Sequence, residues 1–586
     1  MNRMLLLILL FSISTLFNSC KIASTGSSSN LIIMDMVHHN PGEGFTITSF
    51  NASAKLKEYG YNAQVVNEFQ PVHCAISYDS FDKNIFPQGS KERAWVNTLA
   101  ERITSRINEI HNQGLEAYYF MDIIVLPKKL VELYKDEICD STGRVDITRQ
   151  KTQQIHGIML NEVFNRFPGL DGLVIRVGET YLQNLPYHTG NGPVPRDAKL
   201  WAHNDTYKSD GGEAAHRILI KLLTEEVCEK RNKKVFYRTW DFGYFHVNPQ
   251  YYLAVTDSIV PHQNLYFSIK HPKGDYHRTY PFNPTLGIGR HKQVVEVQCQ
   301  REYEGKGAYP NYVAKGVLDG FEEIKNDEGI YSLNQLKHNP NFAGVWTWSR
   351  GGGWVGPYIS NELWCDMNAY VMSQWTNNPG LTEAEIFRNY ATLKGFNSDN
   401  MDRLHRLALL SADAIIRGRA SLIAPVNVWW TRDEFIGGEQ ELGKNIQEII
   451  DKGLVEVFLA EKHQSVEIWK RMLAIADSLQ GKDSTLIQYV KISTKYGHIL
   501  YSIYEQGWII MLKGSQGDKT GVYDQLAIKN AIKTYDRLWV EFAKLKNDNP
   551  ECGSLYRPVA FDYDRPPLYQ SDNGLGTTVN KYQNIN

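Results

Sequence analysis

Eight short apolar segments recur through the first part of this chain, with helix-like stretches between them, and no other feature constrains the fold as strongly. They are LIIMDMV (31–37), NAQVVNE (62–68), EAYYFMD (116–122), DGLVIRV (171–177), KVFYRTW (234–240), LYFSIK (265–270), VVEVQCQ (294–300) and AGVWTWS (343–349). Most are continuous apolar runs rather than alternations, as expected of parallel strands covered on both faces. The stretch KERAWVNTLAERITSRINEIHNQG before the third segment has helical composition, and Gly114 is its expected stop signal. Eight such units over roughly 350 residues predict an α/β fold, a (β/α)8 TIM barrel spanning 31–380. A doubly wound open sheet is the structural alternative. The count of eight and the lack of a Gly-rich phosphate loop argue against it.

The chain has 586 residues, too many for one ordinary core. After about residue 380 the strand signals fade and helical ones take over, at 383–394, 401–418 and 526–545. SVEIWKRMLAIADSL sets Val466, Trp469, Leu473 and Ala476 on one helical face. A mostly α-helical C-terminal domain is therefore expected over 381–562, with a loose polar tail at 563–586. At the other end, residues 1–20 read as a secretory signal and 21–30 as a flexible tether. Cys20 stands where a bacterial lipoprotein carries its lipid, which predicts a membrane-anchored protein, periplasmic or on the cell surface. The other six cysteines form no CxxC pair, and the sequence does not say which of them bond.

Three carboxylates stand where apolar strands run out: Glu179 after LDGLVIRVG, Asp275 after LYFSIKHPKG and Glu302 after VVEVQCQR. Arg176, Arg238 and Lys270 share the ends of three consecutive strands. Acids at the ends of barrel strands suit proton transfer. A buried cation needs an anionic partner; one or two of these could neutralise the acids, and a third points to a substrate carboxylate. Taken singly, each acid could equally be a solvated loop residue or a salt-bridge partner, as with Glu302 beside Arg301. Trp346 and Trp348 share one face of the eighth strand and read first as barrel filling, whereas Trp354, in the Gly-rich loop beyond, is the better ligand candidate. No cofactor is expected, and neither His271, Asp275 and His277 nor His38, His39 and Glu43 form a metal-ligand motif. The net charge of -2 gives no electrostatic case for nucleic acid as a partner. The 13 Trp and 33 Tyr suit glycan stacking and core filling alike.

From about residue 165 to 396 the ordered segments resemble glycoside hydrolase family 67, the α-glucuronidases. DGLVIRVGE is similar to the segment carrying that family's general acid, which implies Glu179. VFYRTW is similar to its substrate-binding arginine strand, implying Arg238. IKHPKGD implies a lysine contact at Lys270 and a catalytic aspartate at Asp275, and QREYEGKG implies a second catalytic carboxylate at Glu302. SQWTNNPGLTEAEIF is similar to the W-N-P-x-L signature, starting at Trp375. The chain departs from the family in four ways, the first being spacings one residue shorter around Glu179 and between Asp275 and Glu302. Only a short tether precedes residue 31, Arg176 replaces a lysine, and His39 stands where a tryptophan after strand 1 is expected, making it a candidate substrate contact.

The resemblance implies an inverting hydrolase that removes an α-linked uronic acid, glucuronic acid or its 4-O-methyl form, from an acidic oligosaccharide such as a xylan fragment. Glu179 would act as acid and Asp275 with Glu302 as base, and the sequence does not say which of the two is the principal base. A retaining or neutral-sugar glycosidase is the first alternative. A non-catalytic, lipid-anchored glycan-binding protein is the second. A homodimer is left open.

Overall fold

The computed structural model describes residues 31–39, 48–67, 71–141, 143–177, 180–181, 185–189, 191–192, 212–241, 243–324, 329–352, 361–431, 436–480, 483–549 and 574–585. Eight parallel strands close into a barrel: β1 (Ile32–His38), β2 (Ala63–Val66), β3 (Glu116–Asp122), β4 (Gly172–Arg176), β5 (Lys234–Arg238), β6 (Leu265–Lys270), β7 (Lys292–Gln298) and β8 (Phe342–Gly351). Each strand pairs with its sequence neighbour, and β1 closes the ring against β8. All eight predicted strands are present, with ends displaced by up to two residues. The helix before β3 runs Lys91–Asn112, capped by the Ser90 side chain, and Gly114 turns the chain out of it at φ +68°.

Side chains alternate along each strand, so every second residue enters the barrel. One set fills it: Met34, Met36, Val65, Tyr118, Phe120, Val174, Phe236, Tyr266, Val294, Trp346 and Trp348. The other set faces the surrounding helices in a second, larger apolar layer. The same alternation continues to the C-terminal strand ends and decides which polar residues face inward there.

The helices after the barrel are numbered α1 (Leu363–Asn377), α2 (Glu383–Leu393), α3 (Ser398–Arg419), α4 (Glu439–Asp451), α5 (Val455–Ser478), α6 (Ser484–Thr520), α7 (Gln525–Asp548) and α8 (Leu575–Tyr582). Among the described residues none is long and apolar enough to cross a membrane. The long α6 lies against the loop following β7. The Tyr489 hydroxyl donates to the Gly307 carbonyl at 2.9 Å, and the Trp364 indole N–H of α1 donates to Ser493 at 3.1 Å.

The final residues correct the expectation of a loose tail, because 575–582 form α8 and bury Leu575, Val579 and Tyr582. Two α6 glycines seven residues apart make room for it. A Cβ at Gly507 would come within 2.8 Å of Leu575, and one at Gly514 within 2.4 Å of the Tyr582 ring.

Candidate active site

At the C-terminal mouth of the barrel several inward positions carry acidic or basic side chains, and these pair. Arg176, ending β4, is clamped to Asp122, ending the adjacent β3. Its Nε and Nη2 both donate to that carboxylate, the second at 2.7 Å. Arg238 ends β5 and reaches past Ser268 on β6 to Glu296 on β7, donating through Nε at 2.9 Å and Nη2 at 2.7 Å. Ser268 and Tyr276 donate to the same carboxylate, at 2.9 and 3.3 Å. These are bidentate pairs in a dry site, 4% and 1% exposed for Arg176 and Asp122, and 1% and 0% for Arg238 and Glu296. Aromatic rings floor them. The Arg176 guanidinium lies 4.8 Å from the Phe120 centroid, and that of Arg238 lies 4.9 Å from Trp348 and 5.4 Å from Trp346.

Lys270 ends β6. The loop after it folds back through an antiparallel bridge between Pro272 and Phe282, which returns Asp275 to the strand end it came from. Lys270 Nζ then lies 2.5 Å from Asp275 Oδ1 and 3.6 Å over the Trp240 ring. The Tyr276 N–H donates to the same oxygen at 3.0 Å, and the Tyr303 hydroxyl donates to Oδ2. Burial pushes the Asp275 pKa up, but the Lys270 charge and the Lys270 and Tyr303 hydrogen bonds outweigh it and hold the carboxyl well below the usual range.

Glu302 is placed by a backbone kink. Arg301 adopts φ +61°, a left-handed conformation that a side chain resists, and Lys306 follows at +50°. The kink sends Arg301 to Glu304, at 2.9 and 2.8 Å, rather than to Glu302. The Glu302 N–H donates to Gln298 Oε1 at 2.8 Å. Its carboxylate lies against Gly352, where a Cβ would come within 2.7 Å of Oε2. The Tyr276 hydroxyl donates to Glu296. Burial first, then the Glu296 charge, and more weakly those of Asp275 and Glu302, push its phenol well above the ordinary value.

The structure thus draws Arg176, Arg238, Lys270, Asp275 and Glu302 to one end of the barrel. Glu179, Trp354 and Cys20 lie outside the described residues. Two expectations need correction. First, the three cations do not outnumber the acids that hold them: each has its own carboxylate, in Asp122, Glu296 and Asp275. Second, it is His38 that faces inward, its ring stacked on Trp348 at 4.7 Å, while His39 lines a cavity of about 430 Å3 at the ends of β1 and β2 with Gln64, Val65 and Asn67. A one-residue offset on a strand exchanges the faces, and β1 is irregular against β8 between Met36 and Val37. Burial, then the charges of Arg176 and Arg238, hold the His38 pKa well below the usual imidazole range, so its ring is neutral.

Sequence reasoning missed Asp122, Glu296, Trp240, Tyr276 and Tyr303. A signal existed for the first two, because an acid inside an apolar strand (EAYYFMD, VVEVQ) needs a buried cation. Among the described residues no cluster of three or more His, Cys, Asp or Glu could hold a metal ion.

Fold and strand-end residues together define a (β/α)8 barrel with a polar, charge-paired mouth and a helical region packed on its β7 loop. A GH138 enzyme targeting pectin rhamnogalacturonan II is similar in structure, with a TM-score of 0.53 over 94% of this chain and 82% of that one, at 12% identity. An O-GlcNAc hydrolase mutant from Thermobaculum terrenum gives a TM-score of 0.40 over 94% of this chain and 93% of that one, at 8% identity. No family model matches the sequence, and no curated protein matches it.

Proposed function

We propose that this protein is a glycoside hydrolase that removes an α-linked uronic acid from an oligosaccharide with inversion. The observation that carries the reading is the pair of carboxylates, Asp275 and Glu302, at the C-terminal end of the barrel, linked through Tyr303, which follows Glu302 in the chain and donates to Asp275. The structural neighbour that targets a pectin and the resemblance of the strand ends to family 67 support it. In this reading Glu179 protonates the leaving oxygen. Asp275 already accepts from Lys270, Tyr276 and Tyr303 and is held strongly acidic, which makes it a poor proton acceptor. Glu302 is therefore assigned as the base that activates water, and Asp275 as the group that orients it. Arg176, Arg238 and Lys270 present fixed donors to the sugar and its carboxylate. Cys20 is proposed as the lipid attachment site.

One observation favours a second reading. Each cation is already matched by a protein carboxylate, which suits a neutral sugar as well as an acidic one. The test is hydrolysis of glucuronic-acid-decorated xylo-oligosaccharides, rhamnogalacturonan II fragments and neutral xylo-oligosaccharides, with Glu302→Gln as control. Release of uronic acid from either acidic substrate, abolished in the variant, supports the first reading. Cleavage confined to the neutral substrate supports the second, and cleavage of none excludes all three as substrates.

A further inference from the structure

Outside the barrel, the segment between α3 and α4 carries two adjacent tryptophans treated in opposite ways. Trp430 is fully buried against Trp508 and Tyr504, and its indole N–H donates to the Arg419 carbonyl at 2.9 Å. Trp429 remains 40% exposed. Its backbone is nevertheless fixed, because its main-chain N–H donates to Asn427 Oδ1 at 3.0 Å, and Asn427 in turn donates twice to α4, from its own main-chain N–H to Asn445 Oδ1 at 3.0 Å and from Nδ2 to Glu441 Oε1 at 2.5 Å.

The rings under Trp429 belong to the candidate active site. His277 and Tyr303 stack on each other at 4.2 Å, and the Trp429 centroid lies 5.2 Å from both, at 67° and 74°. A ring equally close to two stacked neighbours and steeply inclined to both sits across their edges, and with 40% of the residue exposed part of it stays accessible to solvent. The Tyr303 hydroxyl donates to Asp275, so this half-exposed residue stands one tyrosine ring from the Asp275 carboxylate.

A flat, half-exposed aromatic ring beside a polar cleft suits the apolar C–H face of a pyranose. We propose that Trp429 is the platform of a further binding subsite, which holds the sugar ring next to the one cleaved. The helical region thereby contributes to substrate choice, since a lone uronide would not reach it while an oligosaccharide would. The assignment of that ring as the cleaved sugar's neighbour rests on the uronidase reading; the capture of a sugar ring by Trp429 does not.

The experiment is 19F NMR of the protein carrying 5-fluorotryptophan, with the Trp429 resonance identified by its loss in Trp429→Phe. The probes are xylotetraose and the same backbone decorated with glucuronic acid. The resonance is expected to shift with both. The decorated probe is expected to bind about tenfold more weakly to Trp429→Ala than to the parent, with Trp429→Phe between them. A resonance that moves with neither probe, or unchanged affinity in Trp429→Ala, overturns the proposal. A Trp429 resonance that moves with both probes while the decoration adds no affinity upholds the platform and removes the support for a uronate.

Discussion

Removing Arg238 tests the charge pairing on which the site is built. Arg238→Met deletes the two hydrogen bonds to Glu296, at 2.9 and 2.7 Å, and leaves a carboxylate that is 0% exposed with only Ser268 and Tyr276 as donors. Breaking a buried, doubly bonded ion pair from one side costs about 3–5 kcal/mol, most of it the penalty on the stranded charge. Removing both charges in Arg238→Met/Glu296→Leu strands neither, so the double variant should recover to within about 1 kcal/mol of the parent. Urea unfolding followed by tryptophan fluorescence reads both values. If the single substitution costs less than about 1 kcal/mol, or the double is as unstable as the single, Glu296 is not the counterion of Arg238 and the pairing argument fails.

Lys270→Met should raise the Asp275 pKa toward the ordinary carboxylate value. The depressed pKa contributes stability that is full above the unfolded value of 3.8 and is lost as pH falls toward the depressed folded value, so the variant should be less stable than the parent at every pH above about 4, with the difference shrinking as pH falls below it. Asp35 has the opposite sign. It lies buried on the outward face of β1, bonded to Thr347 and Ser349, and burial pushes its pKa from 3.8 to about 7, so its contribution is full below pH 3.8 and lost as pH rises through 7. Asp35→Asn should therefore flatten the stability profile between those values and add up to about 4 kcal/mol at pH 8, read by urea unfolding. Gly514→Ala places a methyl group against the Tyr582 ring and should release α8, seen as faster proteolysis of the C-terminus without loss of activity, at a cost of about 1–3 kcal/mol. Glu302→Gln should lower kcat about 100-fold or more and leave the unfolding midpoint unchanged.

The barrel was legible because its signal is local: each strand is a short apolar run, and the helix before β3 carries its own cap and stop. Strand-end residues were legible for the same reason, since Arg176, Arg238 and Lys270 close apolar runs. Their partners were not, because Arg238 and Glu296 lie 58 positions apart and meet only through the order β5–β6–β7. Counting cations without Asp122 and Glu296 exaggerated the demand for an anionic ligand. His38 and His39 show the limit of strand reading, where one residue of register decides which ring stacks on Trp348. The loops of Asp275 and Glu302 turn on a bridge and a positive φ at Arg301, which composition does not announce. Helix α8 did leave a trace, with Leu575, Val579 and Tyr582 at i, i+4 and i+7, masked by the polar residues around them.

The measurement that bears most directly on the account is proton NMR of the purified protein mixed with glucuronic-acid-decorated xylo-oligosaccharides and rhamnogalacturonan II fragments, following the first uronic acid released. Inversion of an α-linkage predicts the β-anomer first, before mutarotation, and silence from Glu302→Gln. The α-anomer first would contradict inversion. Silence from the parent protein on both substrates would contradict the claim that this barrel removes uronic acid from these glycans.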